Sequence, residues 1–266
     1  MWKIVDYFNI AGVLSDETSP HPKCTFMSCT TTIHVATKPH LHMTIDDAAA
    51  LFDLPDLRPA IHNYLDHCTN SIDHHITGRR HASLNCGLPS DKIQIWTKVC
   101  IQVRNYHNPG MVKPAQTMNI APPSQEHPCG LYNSAVFSLS AESDWPAWGL
   151  NGHMIVQLRL VFRMLGTDQF LTYVQRFHVT PPTGLRMDAA ATGLHILKRA
   201  QRNNGERIGD VLPLSHLRSP VHLIPCFGKT ANPRLTTHTS HELSTKFWLN
   251  HYWNKQIYYC LSLCSM

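Results

Sequence analysis

Two long runs of alternating apolar and polar residues dominate the chain. From Lys92 to Arg104, one side carries Ile93, Ile95, Thr97, Val99, Ile101 and Val103. The other side carries Gln94, Trp96, Lys98, Cys100, Gln102 and Arg104. In the second run, Met154, Val156, Leu158, Leu160, Phe162 and Met164 share a side, opposite Gln157, Arg159 and Arg163. A period of two is what a strand with one buried face produces, so both runs predict long half-buried strands. The second is approached through Trp145-Pro146, Gly149 and Gly152, which place His153 where loop becomes strand. After it, Gly166-Thr167-Asp168 leads into FLTYVQRFHV, where Leu171, Tyr173, Phe177 and Val179 alternate. The segments 154–164 and 170–179 therefore read as an antiparallel hairpin.

Shorter strands are expected at 133–139, at TMNI (117–120) and within SPVHLIPCFG (219–228). LHILKRA and ERIGDVLPL flank Asn203-Asn204-Gly205, which favours a hairpin because such a turn needs positive φ. The helical period appears twice. Thr44 is a plausible N-cap with Asp46 and Asp47 in the first turn, and Pro55 and Pro59 sit near the start of a second helix. Helices are therefore expected at about 44–52 and 56–68. At the other end, Ser244 or Thr245 can cap a helix whose stripe is Trp248, Leu249, Tyr252, Trp253, Gln256, Ile257, Cys260 and Leu261.

The fold expected is α+β: short N-terminal helices, a central and mainly antiparallel β-sheet or partly open barrel, and a C-terminal amphipathic helix packed on the sheet. Residues 1–43 read as an irregular arm with at most a short strand at 32–36. Residues 44–266 read as a single domain, helical over 44–70, with a histidine-rich linker at 70–90, a β-rich part at 91–228 and the last helix at 244–263.

Composition narrows the function classes. No stretch approaches 18 uncharged apolar residues, so no membrane span is expected. Asp6 and Asn9 interrupt the apolar N-terminus and argue against a signal peptide. Nine cysteines without a framework, and no Asn-x-Ser/Thr sequon, suit an intracellular, reducing compartment. The net charge of +5 is concentrated. Residues 151–218 hold nine Lys/Arg and four acids (9 − 4 = +5), and the rest of the chain holds 14 of each sign. A basic, aromatic-flanked segment of that kind can track a nucleic-acid backbone, and Arg159, Arg163, Arg176, Lys198, Arg199 and Arg202 are the candidate contacts. The same arginines can equally be cross-strand partners on a solvated sheet face.

Catalytic templates fail. Gly228-Lys229-Thr230 lacks the upstream glycine of a P-loop, and no His-Glu-x-x-His, Gly-x-Ser-x-Gly or Gly-x-Gly-x-x-Gly occurs. Two-metal phosphoryl transfer needs carboxylates on rigid strands, and the two long strands carry none beyond flanking Asp91. His21, Cys24, Cys29 and His34 lie close together, as do His67, Cys68, His74 and His75, but neither set has zinc-finger spacing. Neither an enzymatic centre, a metal nor a cofactor is expected.

An ordered series of blocks carries a resemblance. They are TIDDAAALFDLPDLRPAI (44–61), LPSDKIQIWTKVCIQVRNYHNP (88–109), PAQTMNIAPPS (114–124) and DWPAWGLNGHMIVQLRLVFR (144–163). YVQRFHV (173–179), GLHILKRAQRNNGERIGDVLPLSHLRSPVHLIPCFG (193–228) and NPRLTTHTSHELSTKFWLNHYWNKQIYYCL (232–261) complete it. Over roughly 44–261 the chain resembles the C-terminal region of Plavaka-type transposases, the cut-and-paste transposon proteins of mushroom-forming (basidiomycete) fungi. It departs from them at Cys226, where a basic residue is usual, and at His178, where an acid is usual, and its first 43 residues match poorly. The nuclease core of that family lies upstream of the matched region. The resemblance implies a non-catalytic accessory domain of transposon origin, nuclear, with DNA, a transposase catalytic region or a second copy as partner. A decayed fragment without selected function is the remaining alternative.

Overall fold

The computed structural model describes residues 24–69, 88, 90–105, 108, 110–140, 145, 149–180, 194–203, 205–227 and 233–263. The histidine-rich linker expected at 70–90 lies almost wholly outside these residues, as does most of the N-terminal arm. The strands are β1 (Thr25–Ser28), β2 (Thr31–Val35), β3 (Leu41–Thr44), β4 (Lys92–Trp96), β5 (Lys98–Val103), β6 (Gln116–Ala121), β7 (Leu131–Tyr132) and β8 (Ser134–Ser138). They continue with β9 (His153–Met164), β10 (Leu171–Thr180), β11 (His195–Arg199), β12 (Gly209–Pro213), β13 (Leu217–Val221), β14 (Leu223–Pro225) and β15 (Lys246–Leu249). The α-helices among the described residues are α1 (Ile45–Phe52), α2 (Leu57–Thr69), α3 (Ser240–Leu243) and α4 (Lys255–Leu263). None is long and apolar enough to cross a membrane, among the described residues.

The α+β expectation is overturned: the chain is mostly β, built from two large antiparallel sheets, and no barrel closes. The smaller sheet runs β1-β2-β5-β6-β7. The larger, ten-stranded sheet is organised on the predicted hairpin β9–β10. Shorter strands dock end to end along both outer edges of this hairpin. β8 and β4 share the free edge of β9, and β12 and β11 share that of β10. Beyond them β13 flanks β8, β3 flanks β4, and β15 and β14 extend from β11.

The first long alternating run is therefore not one strand. It turns a corner at Thr97, so that β4 belongs to the large sheet and β5 to the small one. Trp96 anchors the corner, 1% exposed, its Nε1–H donating to the Ala36 carbonyl at 2.7 Å. The second run is a single strand, but its parity breaks. Tyr173 pairs with Leu160 and Val174 with Leu158, leaving Arg159 as an extra residue opposite the β10 backbone. Such a bulge switches the face of every side chain beyond it. Val156 and Leu158 accordingly face the small sheet, whereas Leu160, Phe162 and Met164 face the helices. Buried positions thus occupy both sides of β9.

Three apolar clusters result. One fills the space between the sheets, from Ile33, Val99, Ile101 and Met118 to Phe137, Val156, Leu158 and Val174. A second lies under α1 and α2, where Phe52, Leu57 and Ile61 meet Ile95, Leu160 and Phe162. The third holds Ile155, Phe177, Leu197, Phe247 and Leu249 with Trp145. α1 forms where expected, with Thr44 as its N-cap accepting from the Asp47 N–H at 3.2 Å. Asp53 closes it in the left-handed region at φ 53°.

The C-terminal helix packed on the sheet is a further correction. Residues 244–263 do not form one helix. Phe247 and Leu249 alternate inward from strand β15, a 3-10 turn spans His251–Trp253, and only Lys255–Leu263 is α-helical. The segment 25–44, all but its last residue within the arm expected at 1–43, supplies three strands. The Asn-Gly region does make a tight turn, with the Gly205 N–H on the Arg202 carbonyl at 2.9 Å and a bridge between Gln201 and Arg207. Its flanking strands then separate and bind successive stretches of β10. His153 takes its expected place, its N–H on the Leu150 carbonyl at 3.0 Å and its ring 5.1 Å from that of Trp145.

Candidate functional site

The six basic residues picked from sequence go to three kinds of place. Arg159 and Arg199 are internal, 2% and 3% exposed. Arg163 lies at a rim, donating from Nε to Gln94 Oε1 at 3.0 Å, with its guanidinium near the Trp96 and Phe170 rings. Arg176 and Arg202 pair with Asp210 (2.5 Å) and Asp56 (3.6 Å). Lys198 is exposed.

The internal pair belongs to a polar seam running across the helix-side face of the large sheet, between its two apolar clusters. Gln157 and Arg159 share this side as alternate residues of β9, and beyond Arg159 the bulge puts Leu160 on it in place of Val161. Arg159 Nη1 binds both carboxylate oxygens of Glu242, at 3.0 and 3.1 Å, and Nη2 donates to the Phe52 carbonyl. Its guanidinium lies 4.0 Å from the centre of the Tyr132 ring. Arg207 binds Glu242 Oε1 as well, and its Nη2 donates to the Glu242 carbonyl at 2.6 Å. Arg199 lies over the Phe177–Phe247 ring pair, 5.2 Å from each centre, and donates to Gln157 Oε1 at 2.8 Å and to the Ser244 and His241 carbonyls.

Burial alone would raise the Glu242 pKa, but Arg159, Arg207 and Arg199 outweigh it and hold the carboxyl below its ordinary value. Burial, reinforced by Arg207, pushes the Arg199 guanidinium down to about 9, still charged at neutral pH. Burial likewise pushes the Tyr132 phenol up to about 12, so it is neutral there. His241 is held below the usual histidine range by burial and by Arg199.

The seam opens into a cleft of about 330 Å³. Gln157 and Glu242 form part of its lining, with Tyr132, Asn133, Thr237 and four histidines, 127, 222, 238 and 241. These walls come from four separated parts of the chain: the loop before β7, β9, the β13–β14 junction, and α3. Among the described residues, no group of three or more His, Cys, Asp or Glu side chains has the arrangement of a metal site.

A second feature lies on the opposite face of the same sheet. Here β11, β15 and β14 extend past the small sheet and carry exposed side chains. In register across this overhang stand His178, Lys198 and Lys246, all exposed. The next row is Thr180, Ile196, Trp248 and Ile224, with Ile196 buried, Trp248 half-buried and Ile224 37% exposed. Neighbouring strands lie roughly 4.8 Å apart, so the cationic row spans roughly 10 Å.

Sequence reasoning found Arg159, Arg199 and Lys198 but missed Gln157, Arg207, Glu242 and Lys246. One signal was available: Gln157 is an uncharged polar residue inside an apolar run, with Val156 before it and Leu158 after. Nothing local distinguishes Glu242, whose partner Arg159 is 83 residues away.

The fold and these two features define a two-sheet antiparallel β protein with a histidine-lined cleft on one face and a cationic overhang on the other. Residues 8–197 match the family described as Domain of unknown function (DUF6830), and the chain, matched over more than half its length, belongs to that family. Comparison with curated proteins gives no match, and comparison with solved structures gives none.

Proposed function

We propose that this chain is a non-catalytic accessory domain of transposase origin that contacts DNA in the nucleus through the overhanging part of its large sheet. The observation that carries the reading is the exposed row His178, Lys198 and Lys246 beside Trp248. Two lysines and a histidine on adjacent strands suit successive phosphates, and a half-open indole suits a base or sugar. The acids support the non-catalytic part. Asp46 and Asp91 are held by Arg58, Asp56 by Tyr173 and Arg202, Asp210 by Arg176 and Glu242 by Arg159 and Arg207. These carboxylates are spread over separate ion pairs instead of converging on one point, as hydrolytic metal chemistry requires. The resemblance to the C-terminal region of Plavaka-type transposases supplies the transposon origin.

The test is fluorescence anisotropy of a labelled oligonucleotide over a salt series. Two to three phosphate contacts predict a log–log slope of about −1.5 to −3. Lys198→Glu with Lys246→Glu should abolish binding, whereas Lys92→Glu, on β4 at the other side of the β9–β10 hairpin, should not. Affinity indifferent to salt, or absent at low salt, would sink the DNA reading.

A second reading has its own observation. Tyr252, Trp253, Tyr258 and Tyr259 are 65, 43, 38 and 44% exposed, a dense aromatic ridge at the C-terminal end. Exposed aromatic clusters are typical of protein interfaces. In this reading the ridge docks the catalytic region of a transposase. Size measurement with and without such a region, on native protein and on Tyr252→Ser/Tyr259→Ser, separates docking from self-association.

A further inference from the structure

We propose that the cleft on the helix-side face is a binding site for a compact anion bearing a phosphate or carboxylate group. The argument begins with charge. Three guanidiniums, Arg159, Arg199 and Arg207, surround one carboxylate, Glu242, which leaves 3 − 1 = +2 behind the cleft floor. Buried cations in excess of buried anions are costly unless a counter-charge reaches them. The carboxylate does not repel an incoming anion as a free one would, because both of its oxygens already accept from guanidiniums.

The second observation is Gln157. Its side chain is among the most enclosed polar groups of the sheet, 3% exposed, and it lines the cleft. Its Oε1 is fixed as an acceptor by Arg199 Nη1 at 2.8 Å, so the amide NH2 must be its other end. Among the described residues that NH2 has no hydrogen-bond acceptor, and it keeps access to the cleft, where water or a ligand must accept from it. An anion oxygen at the floor satisfies it. His127, His222, His238 and His241 also line the cleft, from three different chain segments, and a neutral imidazole has one ring N–H to offer. The volume of about 330 Å³ is that of a small-molecule site.

This site is separate from the proposed DNA contact, which lies on the other face of the sheet, and the two fail independently. Thermal unfolding and calorimetric titration of the full chain would test it, with inorganic phosphate, succinate and chloride at matched ionic strength. A ligand that binds only the folded state raises its melting temperature saturably. Phosphate or succinate should do so where chloride does not, and the better of the two identifies the group. Gln157→Glu keeps the acceptor for Arg199 but replaces the donor with a negative charge, and should weaken binding about tenfold or more. Should that variant not fold, His222→Glu at the exposed mouth gives the same reading. Lys198→Glu should leave anion binding intact. Equal behaviour of the three salts, or undiminished binding in both cleft variants, would overturn the proposal.

Discussion

The two faces of the large sheet are stabilised in opposite ways. Against the small sheet the contact is dry, from Phe137, Val156 and Leu158 to Ile101 and Met118, and its stability scales with apolar area removed from water. On the other face two apolar clusters are kept apart by Arg159, Gln157, Arg199, Arg207 and Glu242, where each charge depends on a specific partner. Dry packing degrades gradually when one side chain is trimmed. A charged seam fails abruptly when its central group is removed.

The largest effect should come from that central group. Glu242→Ala leaves two guanidiniums without their carboxylate and should cost about 3–5 kcal/mol by urea unfolding. Leu158→Ala, in the dry contact one residue from Arg159, should cost about 2–5 kcal/mol, depending on how far the cavity collapses. If the alanine at 242 proves the milder of the two, the seam is less dependent on Glu242 than the geometry requires.

Acid should separate the faces without mutation. The Glu242 carboxyl is held below its ordinary 4.5, so its contribution is fully present above that pH and is lost as pH falls through the lower folded value. Native protein should therefore lose stability below about pH 4.5. A Glu242→Gln background should show a shallower loss there, by the share that this one group contributes. The smallest effect is expected from Arg163→Met. This arginine covers the rim of the dry contact through Trp96, Phe170 and Gln94, and its stem packing is retained by methionine, so about 1 kcal/mol or less should be lost.

Much of the architecture is legible in the sequence, and the failures have physical causes. The β9–β10 hairpin, α1 with its Thr44 cap and α2 follow from periodicity and capping. Parity within β9 does not, because a bulge adds a residue to the backbone without disturbing the alternation of letters around Arg159. The corner at Thr97 is hidden for a related reason: Ile93 to Val103 stay on one apolar side while the strand changes sheets. At the C-terminus two short periods run together in the sequence. Phe247 and Leu249 are two apart on a strand, Ile257 and Leu261 four apart on a helix, and the intervening aromatics fill a helical stripe by coincidence. The arginines show the deepest limit. A cation on a polar strand face reads as solvated unless the acid that neutralises it is nearby in sequence, and Glu242 is not.

The order of strands in the large sheet has a practical consequence for anyone expressing this domain. The family match ends at residue 197, inside β11, yet β12, β13, β14 and β15 all lie beyond it. A fragment cut there would bare the outer edge of β8, which β13 covers, and much of the outer edge of β10, which β12 covers. Unpaired edges of that length recruit other chains. The fragment 8–197 should accumulate as insoluble aggregate, while a fragment carried through residue 263 stays in solution.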